Sequence, residues 1–441
     1  MLTSARSEMA TIILADDGIE FDGHTPETRP LGGVESSVIQ LMEILAANGH
    51  TVTVYNNCAA ALDHKGVHWR PIADGVPNTA DLYIANRGDK LLKLCPDAKR
   101  TVFWTHNPCG YMLKARYLWQ LWRRRPVIVF IGSYHATTLP GWVPDGGRRT
   151  IPYGLPDLFC RAGAADAPPG PRAVFTSNPL RGLDWLLDIW AEHIEPQVPG
   201  AELHVFSGAA TYGAAGARKA DAMGQVLAKA QALESQGVRL RDPVDKAKLV
   251  EELRLSRVML YKGDINETYC LAVAEAQAMG VPAVLKPIGS MPERVIDGET
   301  GFLADDDEAF ALAARRLLTD DALWAGQHAQ ALKTQRQWRW PEAIELPFGG
   351  RFDFATGRAL KREIASFKPD VVLSWMNRAT AMCPSGDYVH AARLGGYYDL
   401  KYYRNCKHLI GNTRDIVDYL VEHGWDKECA HYLPNFVLEQ E

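Results

Sequence analysis

Apolar runs of three to five residues recur along this chain, most of them flanked by Gly, Pro, Asp or Asn. Runs of that kind read as buried strands, and the stretches between them carry helical spacing. A first set covers residues 11–15, 51–55, 81–85, 101–104 and 127–131. The Pro/Ala/Gly-rich stretch 162–171 reads as a linker. A second set follows at 173–176, 203–206, 238–240, 258–262 and 282–285. Helices are predicted over 307–318 and from the early 320s into the 330s, closed by Trp338, Trp340 and Pro341. Strands alternating with helices predict an α/β architecture of two Rossmann-like domains, 1–160 and 161–345, facing a cleft.

Residues 346–441 repeat parts of the first set. Lys368-Pro-Asp-Val-Val-Leu373 parallels Thr79-Ala-Asp-Leu-Tyr-Ile84, and Leu409-Ile-Gly-Asn412 parallels Phe130-Ile-Gly-Ser133. Tyr432-Leu-Pro-Asn435 parallels Thr150-Ile-Pro-Tyr153. A partial Rossmann-like C-terminal segment is therefore expected, with His390 placed after the strand that matches 101–104. It has no opening glycine unit and no partner half, so no second active site is expected. Its role is either that of a fused remnant or that of an added surface for acceptor recognition or self-association. Half a domain leaves sheet edges and apolar faces to cover.

Three places carry candidate chemistry by residue type and position. Leu31-Gly-Gly-Val-Glu35 opens a helix that ends near Asn48-Gly49, and Gly32 and Gly33 let a ligand approach the backbone closely. The spacing is not Gly-x-Gly-x-x-Gly, so no dinucleotide is implied. Arg181-Gly182 follows a strand and the loop Ser177-Asn-Pro-Leu180, ahead of a helix, where a cation and backbone N–H groups can meet phosphate. Glu267 and Glu275 follow the strand at 258–262 and a loop containing Gly263, Asp264 and Asn266. A helix from Glu267 to Gly280 would put one carboxylate at its entrance and the other two turns in. Ligands of open α/β sheets bind beyond the carboxyl ends of strands, and paired carboxylates suit a ligand rich in hydroxyls.

The ordered set Glu267-x7-Glu275, Ala278-Met-Gly-Val-Pro282, Gly289-Ser-Met-Pro-Glu293 and Asp297-Gly-Glu-Thr-Gly-Phe302 resembles the retaining glycosyltransferases of the GT-B fold, family 4 (group 1). The resemblance covers roughly residues 10 to 340. It implies transfer of a hexosyl group from a UDP- or GDP-sugar to a hydroxyl of a saccharide or lipid-linked glycan, with retention and without a metal. It further implies that Glu275 accepts from the ribose hydroxyls and that Glu267 faces the donor sugar. Gly32 and Gly33 would lie against the donor, as would a loop of Gly289, Ser290 and Met291. His106 would sit near the reacting sugar, on a donor hydroxyl or the acceptor. The family often carries an Arg and a Lys around the diphosphate. Here Arg181 fills the Lys place and Thr176 stands where the Arg would be, which leaves Lys262 as a candidate second cation. Thr176 gives weight to a non-catalytic glycan- or nucleotide-binding protein, and a sugar-nucleotide epimerase of similar architecture is the rival enzyme.

Composition narrows the setting. With 441 residues, 47% hydrophobic and 23% charged, the chain is an ordinary globular one of two or three domains. A formal charge of -5 argues against a general nucleic-acid binder. Eight scattered cysteines without zinc spacing read as reduced thiols. No apolar run reaches the roughly 18 residues of a membrane span. Residues 1–10 have no signal-peptide core, and Met9 is an alternative start. The expected location is cytoplasmic. Tyr117-Leu-Trp-Gln-Leu-Trp-Arg-Arg-Arg125 is either a helix with a packed aromatic side and solvated end, or a contact with the inner membrane face or a lipid-linked acceptor. No Asp-x-Asp stands at a plausible strand end, and Asp305-Asp-Asp307 reads as a helix-entry cluster rather than a metal site.

Overall fold

In the computed structural model, strand β1 (Thr11–Asp16) is buried at every residue after Thr11. Burial on both faces marks a strand inside a parallel sheet with helices on each side. The structure describes residues 9–29, 31–208, 220–337, 360–361, 364–365 and 369–433. The strands that join β1 are β2 (Thr51–Asn56), β3 (Leu62–His64), β4 (Val67–Pro71), β5 (Leu82–Asn86), β6 (Arg100–Trp104), β7 (Val127–Phe130) and β8 (Arg148–Thr150). Their order is β3-β4-β2-β1-β5-β6-β7-β8, parallel except for β3, which runs antiparallel to β4. The β3–β4 hairpin is an addition to the sequence expectation. Its strands are short and half polar, and its two-residue turn, Lys65 and Gly66, has φ of 44° and 81°, the primed geometry that tight hairpins favour.

The second sheet holds β9 (Arg172–Phe175), β10 (Glu202–Phe206), β11 (Val238–Arg241), β12 (Val258–Tyr261), β13 (Ala283–Leu285) and β14 (Gly301–Leu303). All are parallel, in the order β11-β10-β9-β12-β13-β14. This is the doubly wound 3-2-1-4-5-6 arrangement, whose order reverses between its first and fourth strands and opens a crevice there. The reversal lies between β9 and β12 in this sheet and between β1 and β5 in the first. One apolar core runs from a face of the first sheet into the second, and the other face of the first sheet has its own core around Tyr83, Phe103 and Phe130.

Two compact units divide the chain, Met1–Ile344 and Glu345–Glu441, so both sheets belong to one unit. Helix Gly33–Ala47 begins on the predicted glycines. Helix Leu271–Ala278 begins four residues later than predicted. Glu267 N–H closes a turn on Asp264 O at 2.9 Å, and Cys270 holds φ 66° and ψ 77°, a left-handed conformation that delays the helix start. Glu267 therefore lies in a turn, and Glu275 is little more than one turn into the helix. Asp306 caps helix Asp307–Thr319 through Ala309 N at 2.8 Å. Trp338, Trp340 and Pro341 lie outside the described residues, as do Lys368 and Asn435.

In the C-terminal unit, β15 (Val371–Trp375), β16 (Val389–Leu394), β17 (His408–Gly411) and β18 (Ala430–Tyr432) form a parallel sheet in chain order. The order β5-β6-β7-β8 in the first sheet is the same. Leu394, Tyr403 and Leu409 anchor a separate small core. His390 is corrected here: it is the second residue of β16 rather than a residue beyond it, and its Nε2 lies 2.9 Å from Ser374 Oγ. Gly395 and Gly396 follow the strand instead. Among the described residues, no helix is long and apolar enough to cross a membrane.

Candidate active site

Both reversal points open onto one cavity of about 370 Å³, within the usual size of small-molecule sites, roughly 300–1,000 Å³. Helix Gly33–Ala47 presents Gly33, Val34 and Glu35 to it, and helix Leu271–Ala278 presents Leu271 and Ala272 from the opposite half. Two helix N-termini thus direct first-turn N–H groups and positive dipole ends at the same space. Gly33 packs closely on Leu271: a Cβ there would stand 2.8 Å from Leu271 Cδ1, so the leucine would have to turn aside.

Glu267 is buried at the cavity edge. Arg181 Nη1 donates to its Oε1, and the Tyr261 hydroxyl donates to Oε2. Burial works against the charge of Arg181, and Glu267 more than offsets it, so the guanidinium stays protonated. Burial pushes the thiol of Cys270 well up, as does the Glu267 carboxylate, which makes it a neutral wall rather than a nucleophile. Glu275 is also buried, and both its oxygens accept from Lys246 Nζ, at 2.6 and 2.8 Å. Lys246 opens helix Lys246–Arg254, whose cap Asp245 accepts from Lys248 N at 2.8 Å. Sequence reasoning missed this cation. Its signal was Asp245 ahead of an amphipathic stretch, which fixes where a helix starts but not which residue it faces.

The first half contributes a second buried network, also absent from the sequence reading. Arg87, with φ 61°, follows β5 and pairs with Asp16 at the end of β1 (2.9 Å) and with Glu35 (3.0 Å). Asn86 donates to Asp16, and its Oδ1 accepts from His106 Nε2 at 2.5 Å. His106 Nδ1 accepts from the Tyr153 hydroxyl, also at 2.5 Å. Burial, then the charge of Arg87, holds the imidazole well below its ordinary pKa. His106 is therefore a neutral group with both ring nitrogens bonded to protein. Acting on a donor hydroxyl or acceptor would require one of these bonds to be exchanged.

The other expectations concern position. Gly32, Gly33, Arg181 and Thr176 line the cavity, as do Glu267 and Glu275. Lys262 does not. Its stem packs over the left-handed Gly182, and its ammonium lies 5.2 Å from the Trp185 ring. Ser290 is buried behind the site, where its N–H donates to Glu267 O at 3.1 Å. Gly289 has φ 59° and sits so close to Asp264 O that a Cβ would lie 2.4 Å away. The 289–291 loop thus braces the Glu267 turn from outside the cavity. Side chains of the second half also reach main-chain oxygens of the first. Thr268 Oγ1 donates to His106 O at 2.5 Å, and the Tyr269 hydroxyl donates to Tyr153 O at 2.7 Å. Glu293 accepts from the backbone N–H groups of Ser133 and Tyr134 at the opening of helix Ser133–Thr137.

Residues 170–320 match the family described as glycosyl transferases group 1. D-inositol 3-phosphate glycosyltransferase of Streptomyces avermitilis is 34% identical over 108 residues, which are 24% of this chain and 23% of that protein. The chain thus matches about a quarter of the length of such curated relatives. Sucrose-phosphate synthase from Thermosynechococcus elongatus shares the fold with a TM-score of 0.58 at 19% identity, over 80% of this chain and 99% of its own. Anabaena HepE (Alr3699), solved in complex with UDP, gives 0.55 at 13% identity, over 81% and 100%. Residues 170–320 are thus similar to group 1 glycosyl transferases, and they are set in a molecule whose paired Rossmann-like sheets have the GT-B fold.

Proposed function

We propose that this protein is a glycosyltransferase that binds a nucleoside-diphosphate hexose in the cavity and transfers the hexosyl group to a hydroxyl acceptor with retention of configuration. The observation that carries this reading is the convergence of two buried carboxylates, each paired with a cation, and two helix N-termini on one cavity. Arg181, Lys246 and the helix amides would neutralise the diphosphate, whose charge grows as the bond to the sugar breaks. A guanidinium has five donors, so Arg181 can keep Glu267 and still meet phosphate. Glu275 would accept from the ribose hydroxyls, and Glu267 would stabilise the positive charge developing on the sugar. The acceptor oxygen bonds to the anomeric carbon on the face that the diphosphate leaves, and its proton passes to the departing phosphate oxygen. This assignment gives a resident metal no role in the chemistry.

UDP is the first nucleotide to test, because HepE of the same fold was solved with it. The acceptor is proposed to be a saccharide or a lipid-linked glycan. Stacked, exposed Trp119 and Trp122 beside Arg123 and Arg125 support the lipid-linked choice and a peripheral contact with an anionic membrane surface. A thermal-shift panel of UDP- and GDP-sugars tests the donor, since a ligand of the native state raises apparent stability. Nucleoside diphosphate release should then require an acceptor. No shift with any nucleotide sugar would refute donor binding, and a donor isomer formed without acceptor would point to epimerisation.

A further inference from the structure

Outside the cavity, His24, Glu27 and His64 bring two imidazole nitrogens and a carboxylate oxygen within 4.8 Å of one another. His24 Nδ1 lies 3.2 Å from Glu27 Oε2. His64 Nε2 lies 3.8 Å from Glu27 Oε1 and 3.9 Å from Glu43 Oε1. Both His64 Nε2 and Glu43 Oε1 are shut off from solvent without a hydrogen bond, although Lys65 Nζ stands 3.3 Å from the latter. Leaving buried polar atoms unbonded is costly. Gaps of 3.8 and 3.9 Å are too long for hydrogen bonds. The donors of a tetrahedral ion with bonds of about 2.0–2.2 Å, by contrast, stand roughly 3.3–3.6 Å apart. The two imidazoles, with centroids 4.0 Å apart, are inclined at 55° rather than stacked. Gly23 makes their approach feasible, since a Cβ there would lie 2.7 Å from His64 Cδ2.

We propose that His24, Glu27 and His64 bind a divalent transition-metal ion, with a solvent molecule completing the shell. Imidazole and carboxylate in a tetrahedral set suit Zn²⁺. Between β1 and helix Gly33–Ala47, His24 caps and Glu27 lies in the short helix Thr25–Thr28, while His64 ends β3 and Glu43 lies on helix Gly33–Ala47. Pro26 and Arg29 of the same segment line the cavity. The ion ties this segment to the edge hairpin and fixes one cavity wall from behind. It is a structural clamp rather than a catalytic metal, and it does not depend on the reaction proposed above.

Metal-free full-length protein should bind one Zn²⁺ by calorimetry. Co²⁺ should give tetrahedral visible bands without thiolate charge transfer. His24→Gln and Glu27→Gln alter exposed side chains, so both variants should stay folded by circular dichroism. Each should weaken Zn²⁺ binding at least about tenfold, and His64→Gln should do the same. No bound ion, unchanged affinity in the His24 and Glu27 variants, or a thiolate spectrum would each overturn the proposal.

Discussion

Glu275 shows how little of a site one residue type fixes. Its carboxylate was legible from spacing and motif, but its partner Lys246 stands 29 positions earlier on another helix. Only the fold brings the two together. The same holds for Arg87, Asp16 and Asn86, three polar residues at strand ends that no local pattern connects. Lys262 lies off the cavity lining for the complementary reason: a basic residue at a strand end has two sides, and this one turns to Trp185. Glu275→Gln removes a charge-assisted acceptor worth roughly 1.5–3 kcal/mol, so donor binding should fall about ten- to hundredfold in titration calorimetry. Arg181→Ala should weaken binding of the nucleoside diphosphate far more than of the free nucleoside, and equal losses would remove it from the phosphate site. His135 gives a pH prediction. Burial lowers its pKa from 6.5 to about 4, while its Nε2 donates to Asn107 O at 2.9 Å. Between those values the unfolded chain binds the extra proton. Its stabilising contribution is thus complete above pH 6.5 and fades as pH falls towards 4. Denaturant midpoints measured across that range should flatten in His135→Gln.

Among the elements, most buried apolar strands and the glycine-marked helix start at Gly33 were legible, whereas the short, part-polar strands β3 and β8 and the delayed start at Leu271 were not. Periodicity needs several residues to register, and a single left-handed Cys270 leaves no periodic trace. Helix Ala115–Arg124 narrows one of the two readings that its sequence left open, that of a packed aromatic side. Tyr117 and Leu121 pack inward, while Trp119 and Trp122 are 57% and 58% exposed, with ring centroids 5.3 Å apart. The packed aromatic side is therefore Tyr117 alone. Replacing both tryptophans by Ala should lower co-sedimentation with anionic vesicles several-fold and leave neutral vesicles unaffected, without changing donor affinity. Equal sedimentation of the two proteins would detach this helix from any membrane role.

For the whole molecule, both carboxylates, both cations and both helix N-termini of the proposed donor site belong to the unit Met1–Ile344. Deletion after residue 345 should therefore preserve nucleotide-sugar binding in thermal-shift assays. Loss of binding in a folded deletion variant would make the second unit part of the site. That unit exposes Val371, Leu373 and Trp375 along β15, so the isolated segment should aggregate in light scattering. The junction between the two sheets has a consequence for divergence. Thr268 and Tyr269 follow Glu267 and bond to the main-chain oxygens of His106 and Tyr153, and Glu293 accepts from main-chain N–H groups. These hydrogen bonds thus reach main-chain atoms of the first half, beside side-chain contacts such as the Tyr153 and Tyr269 rings, 5.1 Å apart. Side chains facing the acceptor can be exchanged over generations while the lobes still close on the same register. A library randomised over the acceptor-facing half should consequently yield altered acceptor preference far more often than altered donor preference.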